Sequence, residues 1–509
     1  MKFRILGAAL ALAVASHIRA DVKPHALFSD GMVLQRDAKV NVWGNADAGE
    51  NVTVRFRDQE ASIAAGADGV WKVQIGPFQS GESATLTIKG NNTVEVKDVL
   101  VGEVWVASGQ SNMEWPLQLT ENPAEAIQAA THPNVRLFTV PKNVQKEPVS
   151  EVKSKWVSCT PETAKNFSAV AYYFGRKLNG DLNVPVGLIH TSWGGTPAEA
   201  WASREALAAN ERLNKELLAP FDQRVANPPA PPKDPPPGKK ARGPVNPINQ
   251  NAPTTLYNGM IAPIKNYTIR GAIWYQGESN AGRADQYRAL FPAMIECWRK
   301  DWGQGDFPFL FVQLAPWRPG TNWPELRESQ RETDHKITNT AMAVITDVGD
   351  AEDIHPKKKR EVGERLAAAA LQDVYQRSVV GHSPDLKGHQ IAGSSIVMEF
   401  DNVGSGLEVR GDKLTGFTIC GEDKQFVPAE AMLDGNKVTV RSANVANPVA
   451  VRFGWTNLAE GNLFNKEGFP ATPFRTDDFP LVSPPRPAAA KPTSPKATKA
   501  SVAEPPPTK

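Results

Sequence analysis

The chain has 509 residues, of which 41% are hydrophobic and 22% are charged. This composition is typical of a globular protein, and the length suits about two to four domains at roughly 100–200 residues each. The 57 basic and 55 acidic residues leave a net charge of +2, so no strong field favours nucleic acid or an anionic membrane surface as a partner. Three cysteines, Cys159, Cys297 and Cys420, are interpreted as small buried residues of a fold that disulfides do not hold together.

Residues 1–20 have the layout of a secretory signal peptide. Lys2 and Arg4 precede a short apolar run over residues 5–15, and small residues follow it. That run is well below the roughly 20 residues that span a bilayer, which argues against a membrane anchor. We therefore expect a chain exported to the periplasm or the cell exterior, with no membrane span.

Residues 21–100 and 381–483 both show alternating apolar and polar residues between turn-forming residues. A period of two is typical of strands with one buried face, so the pattern predicts an N-terminal antiparallel β-domain and a C-terminal β-rich region, both sandwich-like. The N-terminal runs are AKVNVWG, NVTVRF, VWKVQIG and ATLTIKG. The C-terminal runs are SSIVMEF, LTGFTICG, NKVTVRS and VAVRFGW.

Between residues 101 and 380 the apolar runs are continuous, as in strands buried on both faces. They are interleaved with helical patterns, which predicts an α/β domain with a parallel sheet flanked by helices. The predicted strands lie in GEVWVAS, VPVGLIHTS, GAIWYQG, FPFLFVQLAP and TAMAVITDVG. The predicted helices lie in AVAYYFGRKLNG, RADQYRALFPAMIECWRKDWG and KKREVGERLAAAALQDVY. Ligands of such sheets bind beyond the carboxyl ends of the strands, so the functional residues are expected there.

Two further segments are not expected to carry chemistry. Residues 227–247 are too rich in proline for a helix or a central strand, which predicts an exposed insertion. Residues 484–509 are rich in Pro, Ala, Lys, Ser and Thr, which predicts a disordered tail.

Two serines follow predicted strands in settings that suit a nucleophile: Ser111 in ASGQSNMEW and Ser279 in WYQGESNAG. A serine on a tight turn after a strand can stand beside backbone N–H groups, as acyl transfer requires. Neither completes Gly-x-Ser-x-Gly, because Met113 and Ala281 occupy the place of the second glycine. Ser111 also suits a helix cap, and spacing alone does not choose between the two serines.

The other strand ends supply polar and glycine residues. Gly195, in TSWGGTP, can bring a backbone N–H close to a ligand, although paired glycines also serve ordinary strand-to-helix turns. Gln276, Glu278 and Asn280 can donate to an oxyanion, hold a sugar hydroxyl or bond their own loop. His190, inside its strand, is interpreted as a core histidine.

His355 is the candidate general base, because it titrates near neutrality and follows a group of acidic residues. Asp353 or Glu352 is suitably placed to support its imidazolium form, although acidic residues are also favoured at a helix entry. The basic run PKKKRE that follows His355 is interpreted as a solvated helix face. A glycosidase that uses Glu278 and Asp353 as its two carboxylates remains open at this point.

Five motifs taken together resemble the sialate O-acetylesterase family within the SGNH hydrolases. They span residues 101–371 in the same order as in that family: GEVWVASGQSNMEWPL, TSWGGTPAEAW, LYNGMIAPI, GAIWYQGESNA and DIHPKKKREVGERLA. The resemblance implies an SGNH-type parallel sheet and a serine esterase that removes O-acetyl groups from sugars. It also implies that Ser111 is the nucleophile and His355 the base, whereas Ser279 belongs to the block that lines the oxyanion hole.

The resemblance carries further site residues. The oxyanion hole is expected to comprise Ser111, Gly195 and Gln276, and the substrate-binding residues are expected to be Asn112, Glu278 and Asn280. Many SGNH hydrolases place the triad aspartate three residues before the histidine, where this chain has Glu352. We favour Asp353 as the third catalytic residue, because the resemblance includes DIHP, and the alternatives are Glu352 or support of the histidine by a backbone carbonyl. No metal and no cofactor are predicted.

The expected partner is an acetylated carbohydrate, with O-acetylated sialic acid first and acetylated xylan or another polysaccharide as the alternative. A sialate enzyme is expected to place basic residues near the sugar carboxylate, whereas a xylan enzyme needs an open groove with aromatic platforms. The 13 tryptophans do not separate these alternatives. A carbohydrate-binding protein without turnover is the alternative from another class, and no oligomeric state is predicted.

Overall fold

The computed structural model describes residues 21–228 and 246–482. The predicted signal peptide, the predicted tail and most of the proline-rich segment lie outside the described residues. Within these two ranges, no helix combines the length and the apolar character that crossing a bilayer requires.

The N-terminal region is a small sandwich whose last strand continues into the central sheet. In β4 the buried side chains of Val52, Val54 and Phe56 alternate with more exposed ones, which confirms the predicted period of two. Strands β1, β3 and β6 form one antiparallel sheet, and β5, β4, β7 and β8 pair antiparallel in that order. The strands are β1 (Lys23–Pro24), β2 (Val33–Gln35), β3 (Val40–Asn45), β4 (Asn51–Phe56), β5 (Gln59–Ala64), β6 (Val70–Ile75), β7 (Ala84–Lys89) and β8 (Thr93–Gly109).

The central sheet has the order β10-β9-β11-β8-β12-β13-β14, and every neighbouring pair is parallel except β10 and β9. This confirms the predicted parallel sheet. The predicted domain boundary at residue 100 lies inside β8, so one strand belongs to both sheets. The added strands are β9 (His132–Thr139), β10 (Val157–Cys159), β11 (Val186–Ser192), β12 (Gly271–Tyr275), β13 (Phe309–Val312) and β14 (Thr340–Ala343).

Helices cover both faces of the sheet. In β8, Trp105 and Ala107 join the core formed with α4 (Ala169–Leu182) and α10 (Lys359–Asp373), whereas Val104 and Val106 join the core formed with α8 (Ala284–Trp302) and α9 (Trp323–Lys336). Burial on both faces explains why the central strands lack alternation. The helices are α1 (Ser111–Glu114), α2 (Pro123–Gln128), α3 (Pro161–Ala164), α4 (Ala169–Leu182), α5 (Arg204–Ala209), α6 (Glu211–Leu213), α7 (Ala219–Ala226), α8 (Ala284–Trp302), α9 (Trp323–Lys336) and α10 (Lys359–Asp373).

The C-terminal β-rich region has its own apolar core and forms a β15-β16-β21-β20 sheet, a β17-β23 pair and a β19-β18-β22-β24 sheet. The buried Arg327 of α9 joins it to the α/β domain by donating to the carbonyls of Thr456 and Asn457, each at 2.8 Å. The strands are β15 (Asp385–Ala392), β16 (Ser395–Asp401), β17 (Leu407–Val409), β18 (Phe417–Cys420), β19 (Val427–Pro428), β20 (Glu430–Asp434), β21 (Lys437–Arg441), β22 (Ala450–Phe453), β23 (Leu463–Asn465) and β24 (Phe474–Arg475).

Candidate active site

Ser111 begins α1 immediately beyond the carboxyl end of β8. Gly109 has φ +139°, and a Cβ there would lie 2.1 Å from the carbonyl oxygen of Tyr275, so only glycine fits this turn. The N–H of Gln110 donates to the same carbonyl at 3.0 Å. These contacts hold the turn against β12 and place Ser111 at the edge of the sheet where ligands are expected.

His355 meets Ser111 across 244 residues of sequence, with 2.9 Å between His355 Nε2 and Ser111 Oγ. The imidazole stacks on Trp115, with ring centroids 4.8 Å apart and an angle of 15° between the planes. Ser111, His355 and Trp115 all line a cleft of about 520 Å³. This is the hydrogen bond that an activated serine nucleophile needs.

The pKa of His355 lies below its usual 6.5, chiefly because the imidazole is partly buried. The positive charge of Lys359 lowers the pKa further, and the negative charge of Asp353 opposes this shift. The neutral imidazole, which is the form that accepts a proton, is therefore favoured at neutral pH.

The two candidate acids point in different directions. Asp353 Oδ1 lies 3.7 Å from His355 Nδ1, and it accepts a hydrogen bond from the His355 backbone N–H at 2.9 Å. Glu352 instead pairs with Arg318 at 2.7 Å, and its side chain is 71% exposed. Of the two carboxylates, Asp353 is the one beside the imidazole.

The turn after β11 lies against the nucleophile. A Cβ built on Gly194 would be 3.2 Å from the Cβ of Ser111, and the Gly194 N–H donates to Glu114 Oε2 at 2.6 Å. Gly195 has φ +75°, and its N–H donates to no acceptor in the part of the chain that the structure describes. The backbone N–H groups of Ser111 and Gly195 are thus candidates for binding an oxyanion.

Gln276 and Asn280 contact this turn from the protein interior and, like Gly195, do not line the cleft. Gln276 Nε2 donates to Asn280 Oδ1 at 2.6 Å and to the Thr196 carbonyl at 3.3 Å, which occupies both of its amide hydrogens. Asn280 Oδ1 also accepts from the Ala198 N–H at 2.9 Å, and Asn280 Nδ2 donates to Glu199 at 3.0 Å. These contacts brace the turn, and they do not bring either side chain to Ser111.

Asn112 and Glu278 form a second buried group behind Ser111. Asn112 Nδ2 donates to Glu278 Oε1 at 2.6 Å and to the Ile354 carbonyl at 3.0 Å, while Asn112 Oδ1 accepts from Lys359 Nζ. Burial raises the pKa of Glu278, whereas the Asn112 hydrogen bond and the Lys359 charge oppose that rise. Asn112, Glu278 and Asp353 are all absent from the cleft lining. The carboxylates of Glu278 and Asp353 therefore do not face each other across the cleft, as a glycosidase that used this pair would require.

Ser279 is placed differently from Ser111. Its backbone N–H donates to Gln110 Oε1 at 3.2 Å. Its hydroxyl bonds to no histidine among the described residues. Ser279 thus lacks the partner that Ser111 has in His355.

The interpretation of PKKKRE as a solvated face is wrong for Lys359, which is fully buried. Its helical neighbours Val362, Leu366 and Ala370 are also buried, so spacings of three, seven and eleven residues mark it as a member of the buried face. That signal is present in the sequence. His190 is buried, as predicted, and bonds Ser192 Oγ at 2.5 Å, but it also lines the cleft beside Ser111 and is therefore not only a core residue. Cys159, Cys297 and Cys420 are buried free thiols, as predicted.

The sequence profile of a protein family described as "Carbohydrate esterase, sialic acid-specific acetylesterase" matches residues 101–225 and 241–372. The chain belongs to this family. The predicted family resemblance and the predicted class, a carboxylic ester hydrolase, are thus confirmed. The gap between the two matched blocks of the esterase, residues 226–240, overlaps its proline-rich segment.

Relatives and solved structures agree with this membership. The sialate O-acetylesterases of Rattus norvegicus and Homo sapiens are each 30% identical to the esterase over 84% of its chain, which corresponds to 88% and 86% of their own lengths. A crystal structure of a carbohydrate acetylesterase from Xanthomonas citri superposes with a TM-score of 0.80 at 38% identity. That match covers 90% of this chain and 100% of the other, so the similarity includes the flanking β-regions.

Proposed function

We propose that this carbohydrate esterase removes O-acetyl groups from acetylated sugars, with Ser111 as nucleophile and His355 as general base. The observation that carries the proposal is the 2.9 Å contact between Ser111 Oγ and His355 Nε2 at the wall of a cleft. Family membership supports the same chemistry.

In the proposed reaction, His355 Nε2 takes the proton of Ser111 while Oγ attacks the acetyl carbonyl. The backbone N–H groups of Ser111 and Gly195 donate to the oxyanion that develops. The tetrahedral intermediate then collapses to an acetyl-serine, and the sugar oxygen leaves with the proton held by His355. Water, deprotonated by His355, attacks the acetyl-serine. The bond between the acetyl carbon and Ser111 Oγ then breaks, acetate leaves, and His355 returns its proton to Ser111 Oγ.

We propose O-acetylated sialic acid as the first substrate, because the mammalian relatives carry the name sialate O-acetylesterase. A neutral acetylated polysaccharide such as xylan is the second candidate. It is favoured by the apolar part of the cleft, where Trp115, Pro116 and Leu119 offer surfaces for a sugar ring. Lys142 also lines the cleft and suits a sugar carboxylate, but it already pairs with Glu114.

The test is acetate release by the wild-type enzyme from 9-O-acetylated sialic acid, acetylated xylan and 4-nitrophenyl acetate, with no-enzyme blanks for each. We expect the sialate substrate to give the highest kcat/KM of the natural substrates. A higher value for xylan would replace sialate with the second candidate. A folded sample that releases no acetate from any of the three substrates would refute the proposed esterase activity and favour a carbohydrate-binding protein without turnover.

We propose Asp353 as the residue that orients His355, because its carboxylate lies beside the imidazole and is itself held by a backbone N–H. The Asp353→Asn variant is expected to lower kcat by roughly 10²–10⁴-fold, because the amide no longer stabilises the imidazolium ion. Glu352→Gln is the matched control and should stay close to wild type, because an exposed ion pair contributes little. The opposite ranking of the two kcat values would assign the role to Glu352.

We propose, further, that residues 1–20 direct export of the enzyme and are removed. The two early basic residues, the short apolar run and the small residues after it support this proposal. The mature chain would then begin near Asp21.

A further inference from the structure

A buried hydrogen-bond network behind the cleft connects the two segments that carry Ser111 and His355. Asn112 directly follows Ser111, and its Nδ2 donates to the carbonyl of Ile354, which directly precedes His355. The same Nδ2 donates to Glu278 Oε1, and Asn112 Oδ1 accepts from Lys359 Nζ. One amide side chain thus bridges both catalytic segments.

Lys359 occupies an unusual environment for a lysine. Its side chain is fully buried at the start of α10, and its ammonium group lies 5.3 Å from the ring centre of Tyr275 and 5.9 Å from that of Trp115. Burial lowers its pKa to about 7, although the negative charges of Glu278 and Asp353 oppose the shift. A buried ammonium is costly unless it is paired and hydrogen-bonded, so the partners of Lys359 indicate what it does.

We propose that Lys359 is a positioning residue for the Ser111–His355 pair and acts through Asn112. The proposal rests on the proposed function only for the identity of the nucleophile and the base. A lysine ammonium can donate hydrogen bonds but cannot accept them, whereas a carboxylate and a backbone carbonyl can only accept. With Lys359 on one side and Glu278 and the Ile354 carbonyl on the other, the amide of Asn112 has a single favourable orientation.

That orientation has a geometric consequence. If Asn112 flipped, its amide nitrogen would face the Lys359 ammonium and its oxygen would face two acceptors, so all three contacts would be lost. The hydrogen bond between Asn112 in α1 and the Ile354 carbonyl would then be lost, and the distance between His355 Nε2 and Ser111 Oγ would no longer be fixed. A displacement of about 1 Å at reacting atoms can lower a rate by roughly 10²-fold.

Lys359 also acts on His355 through its charge. The charged groups that face Lys359 are Glu278 after β12 and Asp353 in the loop before α10. The uncharged groups are Asn112 in α1, Trp115 directly after α1 and Tyr275 at the end of β12. The Lys359 cation disfavours a protonated imidazole and so lowers the pKa of His355. Below that pKa the base is protonated and the rate falls, so removal of the cation should move the acidic limb of the rate profile to higher pH.

The test measures phosphorylation of Ser111 by diisopropyl fluorophosphate, followed by intact mass and assigned to its residue by peptide mass mapping. The reaction forms a bond between Ser111 Oγ and phosphorus, breaks the P–F bond to release fluoride, and passes the Ser111 proton to His355 Nε2. It requires an aligned, activated serine but no sugar. The variants are Lys359→Met, which removes donor and charge, and Lys359→Gln, which keeps a donor without charge. Lys358→Met removes an exposed neighbouring lysine and is the control. Acetate release is measured in parallel on the same samples.

For Lys359→Met we expect the labelling rate and kcat to fall by roughly 10²-fold, with KM nearly unchanged and the acidic limb at higher pH than in wild type. Lys359→Gln should show the same shift of the limb with a smaller loss of rate, and Lys358→Met should match wild type. Comparison by near-UV circular dichroism corrects each rate for the folded fraction. If Lys359→Met does not fold, the acidic limb of the rate profile and the labelling rate of Lys359→Gln test the positioning role.

Three results would contradict the positioning role of Lys359, the proposed function, or both. A folded Lys359→Met or Lys359→Gln with wild-type rate and wild-type limb would overturn the positioning role. Labelling of wild-type Ser111 without acetate release from any sugar would refute the proposed function and leave the positioning role to be judged by labelling alone. Labelling of a different serine in an active wild-type enzyme would overturn both the assignment of Ser111 as nucleophile and the positioning role of Lys359.

Discussion

The Ser111→Ala variant is expected to lose acetate release almost completely, with kcat lower by roughly 10⁴–10⁶-fold. The change removes the oxygen that attacks the acetyl carbonyl, and no other hydroxyl replaces it in the 2.9 Å contact with His355. Alanine fits the space of a serine at the start of α1, so the free energy of unfolding should change little. The measurement is the rate of acetate release at saturating substrate, with circular dichroism of the same sample.

Ser279→Ala is the matched control for this variant. It makes the same chemical change in the other Gly-x-Ser sequence, at a residue that donates a hydrogen bond to Gln110 through its backbone N–H. Its kcat should therefore remain within a few-fold of wild type. If Ser279→Ala lost activity while Ser111→Ala kept it, the nucleophile would be Ser279 and the proposed mechanism would be wrong.

His355→Ala is expected to produce a loss of similar size, roughly 10⁴–10⁶-fold in kcat, because nucleophile and base act as a unit. The variant leaves Ser111 without a proton acceptor and opens a space beside Trp115, where the imidazole ring is stacked. Free imidazole added to the assay should restore part of the rate, whereas the KM should change little. The measurement is acetate release with and without added imidazole.

The control for His355→Ala is His389→Ala, which removes an exposed imidazole from β15 of the C-terminal region. It should match wild type and should not respond to imidazole. Near-normal activity of a folded His355→Ala variant would remove His355 from the mechanism, whatever the distance to Ser111.

Most of the architecture could be predicted because it rests on local periodicity. The alternation in NVTVRF predicted β4, and the unbroken apolar run in GEVWVAS predicted the buried half of β8. Strand β9 was missed, because HPNVRLFT begins with a proline and polar residues and is buried only over its second half. The continuity of β8 across residue 100 was also missed, since a change in burial pattern resembles a domain boundary.

The candidate site was predictable in part. Strand ends and motif order selected Ser111 and His355, and the structure brings them into contact. The predicted roles of Gln276, Asn112, Glu278 and Asn280 remain predictions, and the structure shows these side chains engaged with one another and with backbone groups behind the cleft. Amide and carboxylate side chains suit many partners, and a motif does not say which partner is nearest.

Local sequence patterns were enough to identify the strands with one or two buried faces, the glycine at the tight turn before Ser111, the acidic group before His355 and the family motifs. Each of these depends on residues close together along the chain. The contacts between Ser111 and His355, 244 residues away, and between Asn112 and Lys359, 247 residues away, became visible only in the folded chain. Local patterns set which face of a strand or helix is buried, whereas a hydrogen bond between distant residues depends on the register of β8, β11 and β12 and on the packing of α10 against the sheet.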